Sequence, residues 1–136
     1  MTDTTTTDTT TTGQAATEHQ ALIDAYFDCW NTTDDAARRS LVERTYAADG
    51  HLADPLVDVT GHDGLVELFT NFHVAYPGHS FRQRGDVDAH HDLVRWGWQM
   101  VDGDGNVALD GLDVALVADG RISDVAGFFG LALPGT

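Results

Sequence analysis

Three polar residues stand where the hydrophobic pattern calls for core side chains, and their types suit proton transfer. Tyr26 falls between Ile23 and Trp30 on the apolar face of a helical pattern, Asp54 lies within Leu52-Ala53-Asp54-Pro55-Leu56, and Asp113 lies within Leu109-Asp110-Gly111-Leu112-Asp113-Val114-Ala115-Leu116. Strand alternation sets Asp113 on one face with Leu109, Gly111, Ala115 and Val117. A carboxyl group among small apolar residues loses hydration, which raises its pKa and keeps it protonated as a hydrogen-bond donor. Gly111 and Ala115 are too small to fill the space above them, so an acid beside that space predicts a pocket wall. The competing reading makes the same face the solvated one.

These residues need elements to position them. Leu22, Ile23, Tyr26, Phe27 and Trp30 recur at i, i+1, i+4, i+5 and i+8, one apolar face of a helix that Asn31-Thr32-Thr33 breaks. Asp34 caps a second helix, with Leu41, Val42 and Tyr46 on its inner side and a stop near Asp49-Gly50. Residues 51–57 read as a short strand interrupted by Pro55, hence an edge strand or a bulge. A third helix follows Gly61, with Leu65, Phe69, Phe72 and Tyr76 spaced by four, three and four, and Pro77-Gly78 ends it. Strands are predicted at about 80–90, 92–101, 107–117 and 121–129, with turns at Asp102-Gly103-Asp104-Gly105 and Asp119-Gly120. Helices followed by an antiparallel meander define an α+β domain. If the sheet curls round the three N-terminal helices, the result is a cone-shaped α+β barrel whose mouth holds a ligand. Residues 1–16 are Thr-rich and predict a disordered tail, which leaves 17–133 as the one domain.

Composition narrows the partners. The chain has 136 residues, 42% of them apolar, and a formal charge of −15 from 22 acidic against 7 basic side chains. Such a charge repels a phosphate backbone, so no nucleic-acid partner is expected. No run approaches the roughly 20 apolar residues of a membrane span, and no basic-then-apolar start marks a secretory signal. One cysteine, Cys29, excludes an internal disulfide and fits a reducing cytoplasm.

The pattern also resembles a known family. Ala21-Leu22-Ile23-Asp24-Ala25-Tyr26 followed by Trp30-Asn31, then Ala48-Asp49-Gly50-His51-Leu52-Ala53-Asp54-Pro55, then Gly111-Leu112-Asp113-Val114-Ala115-Leu116 with Asp119-Gly120-Arg121-Ile122 and Gly127-Phe128-Phe129-Gly130, are similar to segments of the ketosteroid isomerases. Those enzymes lie within the nuclear-transport-factor-2-like superfamily, alongside SnoaL-like domains. The likeness spans about residues 18–130. It implies a cofactor-independent isomerase without a metal, with Asp54 as the general base, and Tyr26 and protonated Asp113 as donors to a dienolate oxygen. It also implies a small hydrophobic ketone as ligand, a pocket lined by Trp30, Phe69, Phe72, Trp96, Trp98 and Phe129, and a homodimer through the outer face of the sheet. Phe69 departs from the pattern, falling where those enzymes carry a supporting tyrosine.

Other readings stay open at this stage. Limonene-epoxide-hydrolase-like relatives use an Asp-Arg-Asp set; Arg95 could match the arginine, but the last acid falls near Gly127, which has no side chain. SnoaL-like polyketide cyclases use an acid and a histidine, and His51, His62 and His73 lie on segments that could border the pocket. A binding or dimerisation module without catalysis is a further class. Asp102-Gly103-Asp104-Gly105-Asn106 partly matches a calcium loop, yet Val107 replaces the required glycine, and a solvated hairpin turn fits better. His90-His91 lacks metal-ligand spacing, and adjacent strand residues are expected to face apart.

Overall fold

The computed structural model describes residues 19–130. Helix α1 (19–31) is followed by α2 (Asp35–Thr45), the hairpin of β1 (Tyr46–Ala53) and β2 (Asp58–Thr60), and α3 (Gly61–Ala75). The meander β3 (Ser80–His90), β4 (Leu93–Val101), β5 (Val107–Ala118) and β6 (Arg121–Phe129) completes the described residues. The six strands form one open, mixed sheet in the order β2-β1-β6-β5-β4-β3. Every pairing is antiparallel except β1 with β6, which run parallel. The three helices cover the concave face of this α+β cone.

The sheet's inner row decides what lies under the helices. Trp96 pairs with Asp113, and Asp113 with Gly127; one step along, Trp98 pairs with Gly111 and Gly111 with Phe129. The core beneath α1 and α3 gathers Ile23, Val42, Tyr46, Leu65, Phe69 and Ile122, all fully buried. Removing such side chains from water supplies most of the drive for closing helices over the sheet.

Polar clamps then fix the helices. The Asn31 side chain donates to the Phe81 carbonyl (2.8 Å) and accepts from the Phe81 N–H (2.7 Å), tying the end of α1 to β3. Arg38, 2% exposed, donates to Asp35, to Thr70 Oγ1 of α3 and to the Thr32 carbonyl, which joins α2, α3 and the α1–α2 link.

Two boundaries differ from the sequence pattern. The second helix ends at Thr45, and Tyr46, predicted on its inner side, is instead the first residue of β1. Pairing with β6 wins over helical propensity there, with a bulge between Tyr46 and His51 taking up the extra residues. The predicted strand over 51–57 is split: β1 stops at Ala53, and Asp54–Val57 form the turn into β2, so Pro55 occupies a turn rather than a strand.

Candidate active site

Strand β5 delivers Asp113 to the inner face, and the apolar setting makes it 4% exposed. Two donors hold it: Tyr26 Oη of α1 donates to Oδ2 at 2.5 Å, and Trp98 Nε1 of β4 donates to Oδ1 at 2.9 Å. Burial pushes the Asp113 carboxyl up to about 7, helped by the charge of Asp54 and opposed by the hydrogen bonds from Tyr26 and Trp98. Burial also holds the Tyr26 hydroxyl well above its usual range, reinforced by Asp113, so Tyr26 keeps its proton.

The space above Gly111 is not empty, as its size suggested. The Trp98 indole lies across it: a Cβ at Gly111 would stand 2.3 Å from Trp98 Cζ2 and 2.2 Å from the Phe128 carbonyl oxygen. A missing side chain on β5 is what brings the indole N–H onto Asp113.

Asp54 comes from a different kind of structure. Its Oδ1 accepts from the backbone N–H groups of Leu56 (2.8 Å) and Val57 (3.1 Å), an Asx turn that links β1 to β2. Among the described residues no hydrogen bond reaches Oδ2, so that oxygen is left to a ligand or solvent. The two acids border one small volume because Gly127 lies between them. A methyl placed there would be 2.8 Å from Asp113 Oδ1 and 3.2 Å from Asp54 Cβ.

Tyr26, Asp54 and Asp113 all line a cavity of about 230 Å³. Four of the six aromatic residues expected in its wall are there: Trp30, Phe72, Trp98 and Phe129. The other two are not. Phe69 is fully buried behind the wall, with ring centroids 4.6 Å from Trp30 and 6.3 Å from Tyr46. Trp96, 1% exposed, sits one inner-face step deeper than Trp98 and packs edge-on against Tyr26 at 4.9 Å. Phe128 faces outward and is 58% exposed, since its strand neighbour Phe129 takes the inner side.

Other wall residues escaped the sequence reading. Leu68, Asn71 and Ala75 share one face of α3 with the expected Phe72 at helical spacing, a signal that was available. Leu56 forms part of the rim from the β1–β2 turn, where no periodicity marks it, and Tyr76, last of the periodic α3 residues, forms part of it from the helix C-cap.

The residues of the rival readings lie elsewhere. His51 bridges Asp58 (2.7 Å) and Asp124 (2.9 Å) at the sheet surface, and those carboxylates raise its pKa. His62 Nε2 meets the Tyr46 carbonyl and His73 Nε2 the Trp30 carbonyl; none of the three histidines lines the cavity. Arg95 is exposed and pairs with Asp88 at 3.0 Å. Asp102 Oδ1 accepts from the N–H groups of Asp104 and Asn106, the geometry of a capped hairpin turn. His90 and His91 do not face apart: their Nδ1 atoms approach to 3.0 Å, because His91 adopts a left-handed φ of 53° in the turn. Among the described residues no group of three or more His, Cys, Asp or Glu side chains is gathered to hold a metal.

The arrangement therefore offers a buried carboxyl that changes protonation near neutral pH, a tyrosine proton shared with it, and a second carboxylate at the edge of the same volume. The wider comparisons agree with this build. No curated protein matches the chain. A proposed isomerase of the SnoaL-like family from Agrobacterium tumefaciens shares 30% identity, with 85% of this chain and 99% of that one covered, at a TM-score of 0.81. A proposed SnoaL-like polyketide cyclase from Jannaschia sp. (14% identity, 83% and 85% covered, TM-score 0.68) has the same fold. So does a proposed ketosteroid isomerase from Kribbella flavida (21%, 88% and 82%, 0.63). Residues 23–125, which carry the cone and all three pocket acid–base groups, match the SnoaL-like domain model, and the chain belongs to that family.

Proposed function

We propose that this chain is a cofactor-independent isomerase that moves a proton through the dienolate of a hydrophobic β,γ-unsaturated ketone. The observation that carries the reading is the convergence of Tyr26, Asp54 and Asp113 on one apolar cavity, with Asp113 poised near neutrality. Asp54 breaks a C–H bond alpha to the carbonyl, the electron pair moves onto the carbonyl oxygen through a dienolate, and Asp54 returns the same proton to the gamma carbon. No atom is gained or lost. The neighbour described as an isomerase of the SnoaL-like family and the one described as a ketosteroid isomerase support the class of reaction.

The donors work in series rather than side by side. Tyr26 Oη and Asp113 Oδ2 already meet at 2.5 Å, so they cannot both reach the substrate oxygen unchanged. When Asp113 is protonated, it donates to Tyr26 Oη, and the tyrosine proton turns to the developing oxyanion. When Asp113 is ionised, the tyrosine proton is held on the carboxylate. Trp98 keeps the carboxyl in line from its other oxygen.

A screen of β,γ-unsaturated ketones, read as conjugated-enone absorbance, tests this. Asp54→Asn should lower kcat/KM by roughly 10²–10⁴-fold while leaving the affinity for a phenolic dienolate mimic within about threefold. One feature favours a second reading, a pocket that only binds: the Trp98–Asp113–Tyr26 chain satisfies its own hydrogen bonds. On that reading no ketone turns over, and Asp54→Asn changes nothing measurable beyond affinity. Pairing of two copies belongs to this proposal too. Leu93, Leu116 and Phe128 are 39%, 44% and 58% exposed on the outer sheet face, and a mass measurement in solution should give twice the chain mass.

A further inference from the structure

The cavity is small, and among the described residues its wall carries no cation. Its volume is about 230 Å³. An apolar protein cavity of roughly 150 Å³ takes up one benzene ring, whereas pockets that bury drug-sized molecules span roughly 300–1,000 Å³. A volume between those marks holds one or two fused rings. Packing sets the limit: Trp96 backs the Tyr26 end of the wall, and the Trp98 indole occupies the volume that Gly111 leaves free. Enlarging the site means displacing a buried indole, not filling an existing void.

Charge sets a second limit. Among the described residues, the polar groups on the wall come from Tyr26, Asp54, Asn71, Tyr76, Trp98 and Asp113, and no Lys, Arg or His lines it. An anion entering would lose hydration with no cation to receive it, and would do so beside two carboxyl groups. The net charge of −15 adds repulsion before the ligand arrives.

We infer that the substrate is a compact, neutral ketone of one or two rings, bearing no carboxylate, phosphate or other anionic group. The ketone end rests on the isomerase reading; the size and charge limits rest on the wall alone.

The test is equilibrium binding by the full chain, followed as quenching of tryptophan fluorescence, because Trp30 and Trp98 both face the cavity. The probes are phenol, 2-naphthol, a tetracyclic steroidal phenol, and 6-hydroxy-2-naphthoate as the anionic counterpart of 2-naphthol. 2-Naphthol should bind at least tenfold more tightly than phenol, because its second ring is buried. The tetracyclic phenol should gain less than threefold over 2-naphthol, its extra rings remaining outside. The carboxylate should bind at least tenfold more weakly than 2-naphthol.

A tetracyclic gain of threefold or more, or a second-ring gain below tenfold, overturns the size limit. A carboxylate penalty below tenfold overturns the charge limit, and no saturable binding by any probe overturns both. Turnover does not enter these titrations. A chain that obeys both limits yet isomerises no β,γ-unsaturated ketone would sink the isomerase reading and leave this inference standing.

Discussion

The inner end of the cavity and its rim handle the same chemical group in opposite ways. At the inner end, Asp113 is 4% exposed, anchored by side chains from α1 and β4, and pushed up to about 7 by burial. At the rim, Asp54 is half-buried, sits in a turn, and is held through one oxygen by two backbone N–H groups. The neighbouring rim residues Leu56 and Tyr76 are 74% and 43% exposed. The first acid is built into packing that any substitution disturbs; the second is carried by local backbone geometry next to water. Two carboxyl groups bordering one volume therefore have unlike surroundings, one stripped of water by packing and one left beside it.

The largest expected effect lies at the inner end and follows from proton linkage. The folded chain holds Asp113 protonated up to about 7, against a usual value of 3.8. Between those values the folded state binds more protons than the unfolded one, so this group's contribution to stability falls as pH rises through that window and is flat above it. Asp113→Asn removes the titration. The stability of wild type relative to the variant should drop by up to roughly 4 kcal/mol between pH 4 and pH 8, measured by urea unfolding at each pH. A difference that stays constant, or grows with pH, would show that Asp113 is not held neutral. On the proposed mechanism, kcat/KM should also fall above about pH 7, as the carboxylate captures the tyrosine proton.

Next in size is Gly111→Ala. The added methyl would meet the Phe128 carbonyl at 2.2 Å and the Trp98 ring at 2.3 Å. Backbone cannot move as a flexible side chain does, so a loss of roughly 3 kcal/mol is expected. Pairing the change with Trp98→Ala should not restore stability, because the contact with Phe128 remains. A restored midpoint would place the whole cost in the indole.

The legibility of these features in the sequence follows from their physics. Asp113 and Tyr26 were readable because each is a polar residue within a strong apolar period, two for the strand and 3.6 for the helix. Asp54 stands in an apolar run too short to show a period, Leu52-Ala53-Asp54-Pro55-Leu56, so its Asp-Pro context had to single it out. Depth within the cone was not readable at all. Trp96 and Trp98 share a strand face, as Phe69 and Phe72 nearly share a helix face, yet one of each pair is core and the other is wall. Periodicity gives a side chain's direction, whereas its depth depends on where the taper closes. Tyr46 fits either the helix or the strand pattern, and pairing with β6 decided between them.

Tyr26→Phe probes the hydrogen bond that joins helix to sheet at the inner end. Asp113 keeps Trp98 but loses the donor on Oδ2, leaving a buried oxygen unpaired. The expected cost is roughly 1–3 kcal/mol. The carboxyl should then titrate above about 7, since a bond that favours its charged form is gone. An unchanged pH window would mean that this bond does not govern the state of Asp113.

The smallest effect belongs to the rim. Leu56 is 74% exposed although it lines the cavity, and its N–H, not its side chain, holds Asp54. Leu56→Ser keeps the backbone donor and removes only half-wetted apolar surface, so stability should change by no more than about 0.5 kcal/mol. Affinity for 2-naphthol should fall less than threefold, because the rings sit farther in. Thermal unfolding together with the fluorescence titration checks both. A large loss of stability would show that the rim is packed as tightly as the inner end, and the contrast between the two acids would then lie in hydrogen bonding alone. A large loss of affinity with stability intact would instead place Leu56 as a cover over the bound ligand, extending the binding site to the mouth.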